Sequence, residues 1–289
     1  MLIEKIKVNA NRFKRVLSGG KFYKNALWRI RRTKSDLPIL FIVGAPRSGT
    51  TLLQRIITTH SRFFSIEGET GIFTKQNIFS PNRKHFGLPN KELMHLFGVS
   101  KDISDFFVRG IIAIRPDSSK TFVEKTPQHA LSMKYISKSF PNAKFLHVIR
   151  DPRDAFVSAK KHTGIPYGRS ANAYAVYWKK IIRSRYSFER NGKTDTSRIY
   201  DIKYEELTKE PRKEVQKIMK WLGEEFEESQ LDPKTISKDK RSSNENFTRL
   251  SESISNRTVG SHVELLTEEE MDQFSRICRE EMELFGYKA

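Results

Sequence analysis

The sequence predicts an α/β fold, a parallel sheet flanked by helices, with a helical and irregular insertion and a polar lid segment toward the C-terminus. Three observations predict it. Short apolar runs alternate with amphipathic stretches of helical period. A glycine-framed turn, Gly44-Ala-Pro-Arg-Ser-Gly49, joins the first apolar run to the first helical stretch. No apolar run approaches the roughly 20 residues that cross a bilayer.

Each element has its own signal. Pro38-Ile-Leu-Phe-Ile-Val43 has the length of a buried strand, and Thr50–His60 places Leu52, Leu53, Ile56 and Ile57 on one helical face. Residues 63–120 are irregular around Ser80-Pro-Asn-Arg83, apart from a helical pattern from Lys91 to Ile114, and form the expected acceptor-side insertion. A second strand, Thr121–Glu124, precedes a helix over Gln128–Phe140; a third, Ala143–Ile149, runs into Arg150-Asp-Pro-Arg-Asp and a further helix. An aromatic-rich helix over Ser170–Arg190, a fourth strand over Arg198–Lys203 and a helix over Arg212–Leu222 follow. Residues 224–258 are polar and read as a mobile loop or lid, closed by a helix over Glu268–Phe285. The simplest division is a basic extension, 1–36, and one domain, 37–289.

The formal net charge is +19, and residues 1–36 concentrate it, with eleven Lys/Arg against Glu4 and Asp36. Such a segment suits nucleic acid, an anionic membrane surface or an acidic substrate, or is simply a basic solvated face. No nucleic-acid reading motif or aromatic stacking series accompanies the charge, so no specific nucleic-acid partner is expected. A single cysteine, Cys278, excludes an intrachain disulfide framework and multi-cysteine metal sites, and reads as a small buried hydrophobe. The expected setting is cytoplasmic, peripheral to a membrane at most. Oligomeric state is not readable.

The glycine spacing of the first turn matches the phosphate-cradling loop G-x-x-x-x-G-K-[S/T], in which backbone N–H groups at a helix N-terminus hold phosphate. Thr50 stands where that loop has its lysine, which argues against nucleoside-triphosphate hydrolysis. Arg47 supplies a cation instead, and Ser48, Thr50 and Thr51 supply hydroxyls. The second strand-to-helix junction, Arg150-Asp-Pro-Arg153 through Ser158, offers another anion site on the same sheet edge, where open α/β sheets bind ligands. Two such sites fit a nucleotide carrying phosphate at both ends.

Pro46-Arg-Ser-Gly-Thr-Thr51 together with Arg150-Asp-Pro-Arg-Asp and Ser158 resembles the sulfotransferases that use 3′-phosphoadenosine-5′-phosphosulfate (PAPS). Glu124-Lys-Thr-Pro127, Lys203-Tyr-Glu-Glu-Leu207 and Arg257-Thr-Val-Gly260 recur at similar places, and Leu52 replaces the tryptophan of the small-phenol branch. The details look closer to the bacterial, carbohydrate and tyrosylprotein branches. The resemblance implies a P-loop-type sheet and PAPS as donor without a metal. It implies a hydroxyl acceptor such as a sugar, a glycolipid or a peptide tyrosine. It assigns Arg47, Ser48, Gly49, Thr50 and Thr51 to the 5′-phosphosulfate, and Arg150 and Ser158 to the 3′-phosphate. Tyr204 and Arg257 would support the nucleotide, and Lys125 would approach the leaving oxygen.

The base is open among three residues. Glu69, twenty-two residues beyond Arg47, sits in a Glu-Thr step like that of the tyrosylprotein branch and is preferred. Glu67 competes because the spacing is one residue longer, and His129 because small-molecule branches use a histidine. Plain structural readings exist beside each: a solvated turn for the carboxylates, a helix-start imidazole for His129, and a core aromatic for Tyr204. Phe73, Phe79, Phe86, Tyr174 and Tyr177, with Lys75, Arg83 and Lys84, are expected to face an acceptor that is acidic or membrane-associated. A P-loop kinase or NTPase, and a non-catalytic nucleic-acid binder, are the alternatives.

Overall fold

The computed structural model describes residues 25–74, 78–79, 85–162, 165–190, 195–232, 254 and 256–288. Five strands form one sheet: β1 (Ile39–Gly44), β2 (Phe63–Phe64), β3 (Thr121–Lys125), β4 (Lys144–Ile149) and β5 (Ile199–Lys203). All pairs are parallel and the order is β2-β3-β1-β4-β5. β1 is therefore the central strand, with its chain neighbours distributed to both sides. That reversal of strand order opens a crevice at the carboxyl ends of the strands.

Helices cover both faces. Residues 25–30 (α1) precede the sheet. They are followed by α2 (Thr50–Thr59), α3 (Asn90–Val99), α4 (Ile103–Ile114), α5 (Met133–Ser139), α6 (Pro152–Lys160) and α7 (Ala171–Arg190). The remainder are α8 (Tyr204–Lys209), α9 (Pro211–Leu222), α10 (His262–Leu265) and α11 (Glu268–Leu284). On one face Phe41 and Phe145 of the sheet pack with Phe106, Phe107 and Phe140; on the other, Leu40, Ile42 and Leu146 pack with Ile56, Ile57 and Ile218. A third cluster joins α6, α7 and α11 around Phe156, Trp178 and Phe274. Both faces of β1 are buried, which is why it reads as an unbroken apolar run rather than an alternating one.

Two expected helices differ in detail. The pattern from Lys91 to Ile114 is two helices, because Asp102 caps a new N-terminus by accepting from the Ser104 and Asp105 amides. The stretch after β3 begins as a 3-10 turn, Pro127–Ser132, before α5. The aromatics expected at an acceptor surface are mostly core: Phe73, Phe86, Tyr174 and Tyr177 are buried. Tyr174 instead fixes the loop after β1 by donating its hydroxyl to the Pro46 carbonyl, and its burial pushes the phenol well above its ordinary pKa. Lys75, Arg83 and Lys84 lie outside the described residues, as do residues 1–24 of the basic extension and 233–253 of the polar segment. Trp28 packs edge-on against Phe79, 4.9 Å between centroids, and Thr33 bonds Asp102, so residues from 25 onward belong to the packed body. The start of the polar segment is likewise anchored, with buried Gln230 donating to the Ile56 carbonyl.

Candidate active site

Strand register places the site. Ile42 pairs with Lys125, Gly44 with Val148, and Ile149 with Lys203. The loop after β1, the turn after β3, Arg150 after β4 and Tyr204 after β5 therefore leave the same sheet edge.

The loop is built by close approach. A Cβ on Gly44 would lie 2.5 Å from the Val148 carbonyl oxygen, and one on Gly49 would lie 2.4 Å from the Tyr204 ring. Gly49 also takes φ +99°, which glycine adopts without the penalty of a side chain. Arg47 adopts φ +70° in the same loop. No side chain caps α2 and no acidic residue occupies its first turn, so its leading N–H groups and positive dipole end lack an internal anion.

Arg150 is the second cation. Its guanidinium is almost fully buried. It donates to the Arg47 carbonyl (3.2 Å) and to the carbonyl and hydroxyl of Thr258 (2.9 and 3.0 Å), and lies 4.2 Å from the Tyr204 ring centroid. None of these partners is a carboxylate, and its buried Nε has no hydrogen-bond partner among the described residues. The contrast with Arg153 is informative, since that guanidinium is held by both oxygens of Asp151. A desolvated cation costs several kcal/mol unless compensated; a ring face returns only about 0.5–2. Arg150 is thus a buried positive charge whose hydrogen-bond partners are all neutral, bonded to the loop that leads into the uncapped helix. The Arg47 side chain crosses to the second strand-to-helix junction, where its Nε donates to Ser158 Oγ at 3.1 Å. Burial and the nearby Arg47 charge lower the pKa of His162, favouring the neutral imidazole there.

On the β3 side, Lys125 Nζ donates to Glu69 Oε1 at 3.0 Å. The ammonium end is 4% exposed and the carboxylate 47%, so a buried cation holds a carboxylate that faces solvent. Glu67 does not join them; it lines a cavity of about 330 Å³ with Gln54, Arg55 and Thr58 beyond α2. His129 is fully buried, and its Nε2 accepts the Phe73 amide at 3.1 Å. Nδ1 must then carry the proton, which it donates to Glu124 at 2.8 Å. Both ring nitrogens are thus hydrogen-bonded within the buried core. Burial opposes ionisation of Glu124, but the hydrogen bonds from His129, Thr70 and Thr126 outweigh it and hold the carboxyl below its usual range. Glu124 in turn positions Thr70, next to Glu69.

The structure thus gathers Arg47, Ser158, Arg150 and Tyr204 at one end of the edge and pairs Glu69 with Lys125 at another. Ser48 turns its hydroxyl back to the Ala45 carbonyl, and Thr50 and Thr51 open α2. Arg257 lies beside Thr258 in the segment that covers Arg150. Thr258 and Asp154 are the contributors that sequence reasoning did not single out. Their partners are more than a hundred residues away, and no local spacing signals them. Among the described residues no group of three or more His, Cys, Asp or Glu is arranged to hold a metal ion, and no helix is long and apolar enough to cross a membrane.

A parallel sheet with a glycine loop, an uncapped helix N-terminus and the arginines Arg47 and Arg150 at its carboxyl edge fits a phosphate- or sulfate-handling fold of P-loop type. More particularly, residues 38–228 match the model of the sulfotransferase family, and the chain belongs to that family. Protein-tyrosine sulfotransferase 2 of Gallus gallus is 30% identical over 201 residues, covering 66% of this chain and 53% of its own length. A protein-tyrosine sulfotransferase of Drosophila melanogaster is 28% identical over 204 residues, covering 67% and 40%. The chain spans about half the length of the curated relatives it matches. Among solved structures, the sulfotransferase domain of the Synechococcus olefin synthase superposes with a TM-score of 0.63 at 19% identity over 90% of this chain and 97% of that one. A mouse sulfotransferase crystallised with PAP superposes with a TM-score of 0.57 at 16% identity, over 90% and 89%. These superpositions concern the fold.

Proposed function

We propose that the chain transfers a sulfuryl group from PAPS to an acceptor hydroxyl. The observation that carries the reading is Arg150, a buried cation whose hydrogen-bond partners are all neutral, set on the same edge as the uncapped N-terminus of α2. One anion site would serve a phosphosulfate and the other a 3′-phosphate.

In this reading Arg47, Ser48, Gly49, Thr50 and Thr51 hold the 5′ end of the donor. Arg150 and Ser158 hold the 3′-phosphate, with Tyr204 and Arg257 in support. The donor supplies an activated sulfuryl group on a phosphate leaving group. Lys125 stabilises negative charge at the oxygen that departs. Glu69 takes the proton of the acceptor hydroxyl as its oxygen bonds to sulfur and the bond from sulfur to the phosphate oxygen breaks. A sulfate ester and adenosine 3′,5′-bisphosphate are the products, and the proton rests on Glu69. Its exposure supports this assignment, since an acceptor can reach it, whereas His129 is sealed.

The relatives named for protein tyrosine favour a tyrosyl hydroxyl over a sugar or glycolipid. The basic residues of 1–36 favour an acidic or membrane-associated acceptor. The test is calorimetric titration with adenosine 3′,5′-bisphosphate, beside adenosine 5′-monophosphate and ATP, then transfer from labelled PAPS to tyrosyl peptides and sugars. Selective binding of the bisphosphate and labelled peptide are expected. Preference for ATP, or no binding, overturns the reading.

A further inference from the structure

Asp154 lies in the first turn of α6, yet Asp151 is the residue that caps that helix, its carboxylate accepting from the amide and guanidinium of Arg153. Asp154 turns away from its own helix. Its carboxylate is almost fully buried and accepts from four donors that all belong to one distant segment: the Gly260 amide (2.7 Å), the His262 amide (2.9 Å), His262 Nδ1 (2.8 Å) and the Ser261 hydroxyl (3.2 Å). Hydrogen bonds to a charged acceptor are the strong kind.

The segment is a compact strap. Val259 N donates to Asn256 O at 2.8 Å, Val263 N to Gly260 O at 3.2 Å, and Gly260 turns the chain at φ +78°. Two residues before the clamped glycine, Thr258 offers its carbonyl and hydroxyl to Arg150, and its hydroxyl meets the Tyr204 hydroxyl at 3.2 Å. One turn further along α6 than Asp154, Ser158 receives Arg47. The helix that carries Ser158 therefore also ties down the strap that aims Arg150. Burial opposes ionisation of Asp154, but the His262 side chain and the Gly260 and His262 amides outweigh it, so its carboxyl is held below the usual range and is ionised at neutral pH.

We propose that Asp154 is a positioning residue for the donor site: through Gly260, Ser261 and His262 it clamps the 256–262 strap to α6 and so fixes Thr258 beneath Arg150. It touches no reacting atom. The proposal rests on the sulfuryl-transfer reading for the identity of the ligand, but the clamp itself needs no ligand.

Asp154→Asn keeps the size of the side chain and replaces one acceptor oxygen by a donor facing N–H groups. In the ligand-free full chain, hydrogen exchange at the amides of 258–263 is expected to quicken about tenfold or more, with β1 and β4 unchanged. The dissociation constant for adenosine 3′,5′-bisphosphate and the KM for donor should rise together by about tenfold. The kcat at saturating donor should stay within about twofold, and the KM for acceptor should not move. His262→Gln, which retains an N–H donor, should stay near the parent protein, and His262→Leu should show part of the Asp154→Asn effect. Unchanged exchange of the strap, or a loss of kcat without a change in donor KM, overturns the proposal. Should Asp154→Asn loosen β1 and β4 as well, His262→Leu decides, and a strap that exchanges there as in the parent overturns it. A parent protein indifferent to the bisphosphate would instead overturn the donor reading, and strap exchange tells the two failures apart.

Discussion

Glu69 and Lys125 form an ion pair with a buried cation and a half-exposed carboxylate, so removing the carboxylate outright would leave the Lys125 charge uncompensated. Glu69→Gln keeps an oxygen that can accept from Lys125 and so tests chemistry with the smaller effect on folding. Glu69→Gln is expected to lower kcat about 10²–10⁴-fold, the range for a lost general base, while bisphosphate binding holds. Glu67→Gln should leave transfer unchanged, because Glu67 faces the cavity beyond α2. His129→Gln should do the reverse of Glu69→Gln. It disturbs a hydrogen bond to the buried Glu124 carboxylate, and bonds to a charged group contribute about 1.5–3 kcal/mol. Thermal unfolding would fall, while the pH dependence of kcat in the folded fraction keeps the parent shape. A pH profile altered by His129→Gln and not by Glu69→Gln would return the base role to the histidine.

At the scale of elements, the loop after β1 is a shape imposed by neighbours. Gly49→Ala forces a side chain into left-handed backbone, about 1–2 kcal/mol for an L-residue, and drives its Cβ into Tyr204. Thermal unfolding should show a loss for Gly49→Ala that Gly49→Ala/Tyr204→Ala recovers in part, since the second change removes the ring but leaves φ; an equal loss in both would mean the ring contact is immaterial. That loop was legible in the sequence because its signal is local: an apolar strand, two glycines and a helical period within about twenty residues. The strands β1, β3, β4 and β5 and the helices α6, α7, α9 and α11 were legible for the same reason, whereas β2, two residues long, fell in the stretch read as irregular because it is too short to show a period. Asp102 hid the break between α3 and α4 because a capping aspartate inside a continuous apolar pattern looks like a surface residue. The acceptor-side aromatics were misjudged because burial is a property of the assembled layers, and Phe73 and Tyr174 carry the same letters in a core as on a binding face. Of the site, the residues within each motif could be read, whereas the clamp from Asp154 to the strap joins segments with no shared period.

For the molecule as a whole, buried carboxylates and the excess of positive charge act in the same direction as acid is added. Burial raises the cost of ionising Glu124, Asp154 and Asp201, but in each case bonds from histidine and other donors win and lower the folded pKa. The unfolded values are about 4.3 for Glu and 3.9 for Asp. Their stabilisation is therefore complete above those values and is lost as pH falls through the lower, folded ones. Glu205 has the opposite sign: burial raises its pKa despite the Asp151 amide and the Tyr287 and Arg150 neighbours, so ionising it as pH rises removes stability. Three groups against one leave a net loss in acid, and protonation adds to a formal charge of +19, which strengthens self-repulsion. Urea midpoints should be nearly level from about pH 7 to 5 and fall steeply below about pH 4. Glu205→Gln should raise the midpoint at pH 7 relative to the parent and lose that advantage in acid, where Glu205 is protonated in both states. An advantage that persists unchanged at pH 3 would mean that packing, not desolvation of the Glu205 carboxylate, sets its effect.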